Sequence, residues 1–340
     1  MSTKLKIAAA VAAAVLLSAC SSPKHEPMPL VKFTPSMEVT EVWSKGLSSA
    51  EGFLVPAVYD DMVFAAGGKT LTRLNARTGE TEWSVSFNSP ITGGVGSDGY
   101  VTAVGLWDGN LEVVDAEGKV SWEKKLTTEL ASPPVVSHGL VIARTMDTRV
   151  SAFEASSGEL QWTYQRSQPA LTVRLPTRML AHDNFLLVGQ PNGHIVILDI
   201  ASGKPMFEFQ VAQAKGVTEV ERLVDVVGAP AFSDNLVCAA AFQGAVTCVD
   251  STNGQTRWTQ KMMPSQVLPL TKTTFMPSAS TEKSRPSTAK AENSAGPIRP
   301  CSTADFPRRS YSRAPWLSVM KTVMFISFRR EPVKKWRVFV

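Results

Sequence analysis

Leu74-Asn75-Ala76-Arg77-Thr78-Gly79-Glu80-Thr81-Glu82-Trp83 reads as an apolar strand, a tight turn and a returning strand, and this pattern recurs four more times. The second copy runs from Val114 to Trp122 through Gly118. The third runs from Phe153 to Trp162 through Gly158. The fourth runs from Leu198 to Phe207 through Gly203, with Phe in the Trp slot. The fifth runs from Val249 to Trp258 through Gly254. Each strand ends at an Asp, Asn or Glu whose side chain can bond the turn backbone. The glycine accepts positive φ, which a β-branched residue resists. An aromatic then sits four residues after the glycine, once per copy.

Further elements precede several copies. Val58 to Ala66, Val136 to Ala143 and Phe232 to Ala240 each read as a polar turn followed by a buried strand. Another turn, as in Gln190-Pro191-Asn192-Gly193, leads into the hairpin. Four short strands per repeat at a spacing of roughly 40 residues are the signature of a β-propeller. The expected fold is all-β, a propeller of four-stranded blades. Its repeated aromatics are expected to pack one blade on the next rather than to hold a ligand.

Residues 1–19 read as a signal peptide. Lys4 and Lys6 supply the positive start, and Ile7 to Leu17 is an apolar run too short to span a bilayer. The run ends in Leu17-Ser18-Ala19-Cys20, the pattern of a bacterial lipoprotein signal in which Cys20 takes the lipid. Ser21 stands where an inner-membrane retention signal usually carries Asp, so an outer-membrane anchor is expected, with the protein on the periplasmic face. Residues 20–37, with Pro23, Pro27, Pro29 and Pro35, form a stiff tether. Residues 38–262 then carry the propeller.

The net charge of +5 is unevenly spread. Residues 263–340 hold 14 Lys and Arg against 4 Asp and Glu, a net of +10, which leaves 21 basic and 26 acidic residues before them, a net of −5. Of 22 glycines, only Gly296 follows residue 262. The basic excess therefore belongs to the tail and does not point to a nucleic-acid partner for the propeller. A back-translation shifted by one base turns the tail into blade sequence. Met320-Lys321 then forces Glu, and Met324-Phe325 forces Val. Gln266 to Pro277 becomes compatible with GVAADEDNIYA, and Pro286 to Pro297 with LDRKSGELRWT. The opposite shift meets a stop at Met320-Lys321. Residues 263–340 thus read as an out-of-frame tail, expected to be disordered or misfolded, that stands where about two last blades belong. The strand around Val42-Trp43 is then expected to lack its partner, leaving an open edge and one bare blade face.

Catalytic constellations are missing from the sequence. His25, His138, His182 and His194 lie in the tether or near turns without metal-ligand spacing, and there is no phosphate loop or nucleophile elbow. Cys238 and Cys248 flank the Gln243-Gly244 turn, either as a bridge across a hairpin or as two buried thiols. No enzyme activity and no cofactor are expected.

The x-D-x-x-x-G-x-x-x-W hairpin is similar to the quinoprotein-type propeller repeat. With the lipoprotein signal, residues 1–262 resemble the BamB family of outer-membrane assembly factors. The resemblance implies about eight blades, closed by pairing the N-terminal strand with the last blade. It implies a scaffold of the barrel-assembly (BAM) complex that binds the POTRA domains of the barrel-assembly protein BamA and aids unfolded outer-membrane proteins. Leu171-Thr172-Val173-Arg174 matches the first partner-binding loop of the family, with Leu171, Val173 and Arg174 as its contacts. Glu221 to Val227 matches the second, through Arg222 and Asp225. Asp225 keeps an acidic position of the family, while Val227 replaces another. The plain alternative is that Leu171 and Val173 are strand residues and that Arg174 and Asp225 are merely solvated. Two rival functions remain: a quinone-dependent dehydrogenase, which uses the same repeat but needs cofactor and calcium ligands at the propeller centre, and a generic periplasmic protein-binding propeller.

Overall fold

The computed structural model describes residues 40–48 and 53–261, except 168, 176 and 234, together with the backbone of four later strands. Residues 1–39, including Cys20 and the expected signal and tether, lie outside the described residues. Strand β1 (Glu41–Gly46) and the short β2 (Phe53–Leu54) come first. Five four-stranded antiparallel blades follow. The first holds β3 (Ala57–Tyr59), β4 (Met62–Gly67), β5 (Thr70–Asn75) and β6 (Thr81–Ser86). The second holds β7 (Ile91–Ser97), β8 (Thr102–Leu106), β9 (Asn110–Val114) and β10 (Val120–Lys125), with β2 added in parallel to β7. The third holds β11 (Val135–Ser137), β12 (Leu140–Arg144), β13 (Val150–Glu154) and β14 (Leu160–Tyr164). The fourth holds β15 (Leu180–His182), β16 (Phe185–Gly189), β17 (His194–Asp199) and β18 (Pro205–Gln210). The fifth holds β19 (Val226–Ser233), β20 (Leu236–Ala241), β21 (Ala245–Asp250) and β22 (Thr256–Lys261). The fold is an incomplete β-propeller.

The repeated turn works as its residue types demand. Asn75 Oδ1 accepts the amides of Arg77 and Thr78, Asp115 Oδ1 those of Glu117 and Lys119, and Asp199 Oδ1 that of Ser202. A register shift marks the same place in every hairpin, as at Ala152/Phe153 and Ile197/Leu198, because the turn carries an extra residue on one side.

Between blades, one aromatic reaches to the next turn. Trp43 Nε1 donates to the Ala76 carbonyl at 2.9 Å, Trp83 to Ala116 at 2.9 Å, Trp122 to Ala155 at 2.8 Å and Trp162 to Ile200 at 2.8 Å. The same rings lie over Gly79, Gly118, Gly158 and Gly203, and Phe207 lies over Gly254. The middle strands complete each seam. Ile142, Val150 and Trp162 of the third blade pack on Leu186, Val196 and Leu198 of the fourth. Leu187 and Ile195 of the fourth blade pack on Val237 and Val249 of the fifth. Two opposite faces of one sheet are thus both apolar, which is why the middle strands read as unbroken buried runs.

Phe207 has no N–H, so its seam alone among the five lacks the ring-to-carbonyl bond. Phe207→Trp is expected to stabilise the protein by about 1 kcal/mol by supplying a donor to the turn. A rise in the urea midpoint at constant slope checks this, and a fall would show that the larger ring does not fit.

Cys238 and Cys248 face each other across β20 and β21, are fully buried, and are joined by a disulfide. A bridge with a sequence separation of 10 removes about 2–3 kcal/mol of unfolded-chain entropy in the loop-closure model.

Glu112 is a polar exception in the seam between the first two blades. It is buried on β9 on the face that Val114 shares with the first blade, and its pair partner across the hairpin is Glu123. Burial pushes its carboxyl up to about 7, and the charge and hydrogen bond of Glu123 and the charge of Asp108 add to this. The native state therefore holds a proton that the unfolded chain releases near pH 4.5. This contribution is fully present below pH 4.5 and lost as pH rises through about 7. Glu112→Gln, which keeps a donor toward Glu123, is expected to be more stable than the parent at pH 8 by about 2 kcal/mol and equal to it near pH 4.5. Urea midpoints between these pH values check it. A parent-minus-variant difference that does not change with pH would contradict it.

The C-terminal stretch departs from expectation at two points. Strand β23 (Pro264–Thr271) pairs with β24 (Thr274–Ala279) and lies against β19, and Val227, Ala240 and Val246 beneath are buried. Strand β26 (Lys335–Phe339) pairs with β25 (Phe325–Phe328) and, on its other edge, with β1. The N-terminal strand therefore has a partner, and among the described residues neither the open edge nor the bare blade face expected above is found. The physical reason is that a β-ladder is made by backbone groups. Any segment rich in Val, Leu, Phe and Trp can supply them, whatever its reading frame. The rest of the expected out-of-frame tail lies outside the described residues.

Candidate functional site

In this topology each outer strand hands the chain to the inner strand of the next blade, so all inter-blade loops emerge on one face. Loop 165–179 joins β14 to β15, and loop 211–225 joins β18 to β19. They leave successive blades and are therefore neighbours. The structure places Leu171, Val173 and Arg174 in the first loop and Arg222 and Asp225 in the second, and it brings the two groups together through one bond: the Val173 amide donates to Asp225 Oδ2 at 2.6 Å.

The five residues differ in position. Leu171 is exposed at 42%, Arg174 is exposed, and Val173 is half-buried. Neither Leu171 nor Val173 is in a strand. Arg222 is exposed and stands 3.9 Å from Glu219 on a short turn. That turn is stabilised by Glu221, which accepts the Val217 and Thr218 amides while its own amide donates to Thr218 Oγ1. These bonds hold the Glu221 carboxyl below the usual range. Val217 and Val220 on the same turn point into solvent at 97% and 58% exposure. They are apolar surface that the sequence reading did not single out. The signal was available, since two valines in a loop with Gly216 and Thr218 have no strand to belong to.

Asp225 is not solvated. It is 6% exposed, and burial pushes its carboxyl up, against the amides of Val173 and Asn192 and the charge of Arg144, which pull it down. A surface contact was the expectation; the structure turns this side chain inward, beneath the loop. Its charge partner Arg144, at the end of β12, was also missed. Arg144 is 4% exposed, donates from Nη1 to Thr177 Oγ1 at 2.9 Å, and has its Nε buried without a hydrogen-bond partner among the described residues. Burial lowers its pKa to about 10, and the Asp225 charge opposes that fall. Nothing in the local sequence Leu140-Val141-Ile142-Ala143-Arg144 marks it as more than a strand end. The two buried charges border a cavity of about 120 Å³ with Thr148, Thr172, Val173 and Arg174 on its wall.

The two loops expose Leu171, Val217 and Val220 together with the cations Arg174 and Arg222, and they are tied by the Val173–Asp225 bond, a composition that suits protein docking. The three histidines among the described residues are engaged locally: His138 bonds Ser137, His182 stacks on Phe232, and His194 bonds Asn192. No group of three or more His, Cys, Asp or Glu side chains suited to a metal is present among the described residues.

Comparison with known proteins agrees with the fold and narrows it. The family model described as outer membrane protein assembly factor BamB matches residues 67–285. The protein of that name from Burkholderia pseudomallei is 38% identical over 256 residues, which is 74% of this chain and 67% of the relative. The chain spans about two thirds of the length of the curated relatives it matches. Among solved structures, BamB from Moraxella catarrhalis superposes with a TM-score of 0.61 at 27% identity, covering 67% of this chain and 69% of that one. A quinohemoprotein alcohol dehydrogenase from Comamonas testosteroni superposes with a TM-score of 0.53 at 19% identity, covering 66% of this chain and 45% of that one, and so shares the fold alone. On this match of sequence over most of the propeller, the chain belongs to the outer membrane protein assembly factor BamB family.

Proposed function

We propose that the chain is a non-enzymatic lipoprotein scaffold of the outer-membrane β-barrel assembly complex. It is held on the periplasmic face by a lipid on Cys20 and docks the POTRA domains of BamA, and through them aids unfolded outer-membrane proteins. The observation that carries this reading is the pairing of loops 165–179 and 211–225. Two stretches that resemble the partner-binding loops of the family are joined by the Val173–Asp225 bond into one surface. Leu171, Val217 and Val220 supply exposed apolar area, and Arg174 and Arg222 supply the cations beside it. Exposed apolar groups next to arginine are the usual composition of an energetic centre at an interface.

Arg174→Glu tests this reading. The side chain is exposed, so reversing its charge leaves the blades intact. Recovery of BamA with the full chain from detergent-solubilised outer membranes is expected to fall about tenfold, equivalent to about 1.4 kcal/mol, with the melting temperature unchanged. Unchanged recovery would overturn the assignment of this surface.

A further inference from the structure

Segment 171–175 has no regular secondary structure, yet its position is strongly determined. Three ties hold it. The Val173 amide donates to Asp225. Thr177 and the Arg178 amide bridge to Gly228 at the start of the fifth blade. Thr177 Oγ1 accepts from the buried guanidinium of Arg144, which belongs to the third blade. The segment that carries Leu171 and Arg174 is thus pinned from blades on both sides. Arg144 and Asp225, both less than a tenth exposed, attract each other and border the cavity that residues 172–175 also line. A buried cation without an acidic neighbour is expensive, and a buried carboxylate without a cation equally so. Each charge therefore eases the burial of the other, and both line one cavity with Thr172, Val173 and Arg174 of the loop.

We propose that Arg144 is a positioning residue for the Leu171–Arg174 docking surface. It binds Thr177 directly, it keeps Asp225 in place to accept the Val173 amide, and it thereby sets where Leu171 and Arg174 stand before any partner arrives. It touches no partner itself. The proposal rests on the docking surface proposed above for the importance of that segment, but its physical content concerns the free protein.

The test is amide hydrogen exchange on the full chain, with BamA recovery as a second readout. Arg144→Met is expected to raise exchange at Val173 and its neighbours by tenfold or more, while amides in β16 and β20 stay protected, and to lower BamA recovery about tenfold. Arg144→Lys keeps the charge toward Asp225 but loses the guanidinium fork, so it is expected to fall between parent and Met. Should Arg144→Met not fold, Thr177→Val carries the test, since it removes one hydroxyl from the loop side. Exchange across 171–175 is expected to rise about threefold. Exchange at Val173 unchanged from the parent in the folded variant would overturn the proposal. Arg174→Glu separates the two ideas. If it spares BamA recovery while Arg144→Met still loosens Val173, the docking surface is wrong and the clamp stands. If it lowers recovery while Arg144→Met leaves Val173 protected, the reverse holds.

Discussion

Trp162→Ala is expected to lower the stability of the protein by about 4 kcal/mol, enough to move the folded-to-unfolded ratio roughly a thousandfold. Trp162 is the most buried of the repeat tryptophans for which a bond is seen, at 9% exposure. Its ring lies on Gly203, where an added Cβ would come within 2.4 Å of it, and it packs with Met179 and Ile200 across the seam. Truncation leaves a cavity the width of an indole between two rigid sheets that cannot collapse into it. It also strands the buried Ile200 carbonyl, which accepts from Nε1 at 2.8 Å. Gly203→Val attacks the same contact from the other side, since the glycine sits at φ +67° and the new side chain has the ring in its path. Both variants are checked by urea unfolding. Losses below about 1 kcal/mol would mean that the seam is held by the middle strands alone.

Restoring the shifted frame after residue 262 is expected to raise the melting temperature by about 10 °C. Five blades have four strands each, whereas β23 and β24 make a pair and β25, β26 and β1 a three-stranded sheet. The shifted reading SGELRW inside Pro286 to Pro297 would supply the next glycine and aromatic, and so give Trp258 a turn to stack on. One such seam is worth about 3–4 kcal/mol by the Trp162 argument, and about 1 kcal/mol moves the midpoint of a domain this size by 2–4 °C. Sequencing the gene across the codons for Trp258 to Leu270 establishes which chain the cell makes. Equal melting of the two chains would remove the case for lost blades.

Much of this was readable from residue types alone. The five hairpins, their glycines and the aromatic four positions later are local events. A turn that needs positive φ and a strand that needs an apolar face leave their mark within ten residues. The strands between them follow from continuous apolar runs such as Val237-Cys238-Ala239-Ala240. The disulfide was half legible, because hairpin spacing set Cys238 opposite Cys248 without deciding their bond. The pairing of β1 with β26 was not legible and contradicted expectation, because ladder formation asks only for extended backbone with suitable side chains.

The sequence by itself determined the blade and its repeat, since each depends on residues close together in the chain, whereas the stacking of each Trp on the next blade's glycine, as of Trp83 on Gly118, is a contact between blades. Only the tertiary structure joined the two loops of the proposed docking surface. Arg144, Val173, Thr177 and Asp225 come from three segments up to 81 positions apart, and each is unremarkable in its own stretch. Blade-on-blade packing brings the loops of neighbouring blades side by side, and a buried charge then acquires a meaning that depends wholly on what lies across from it.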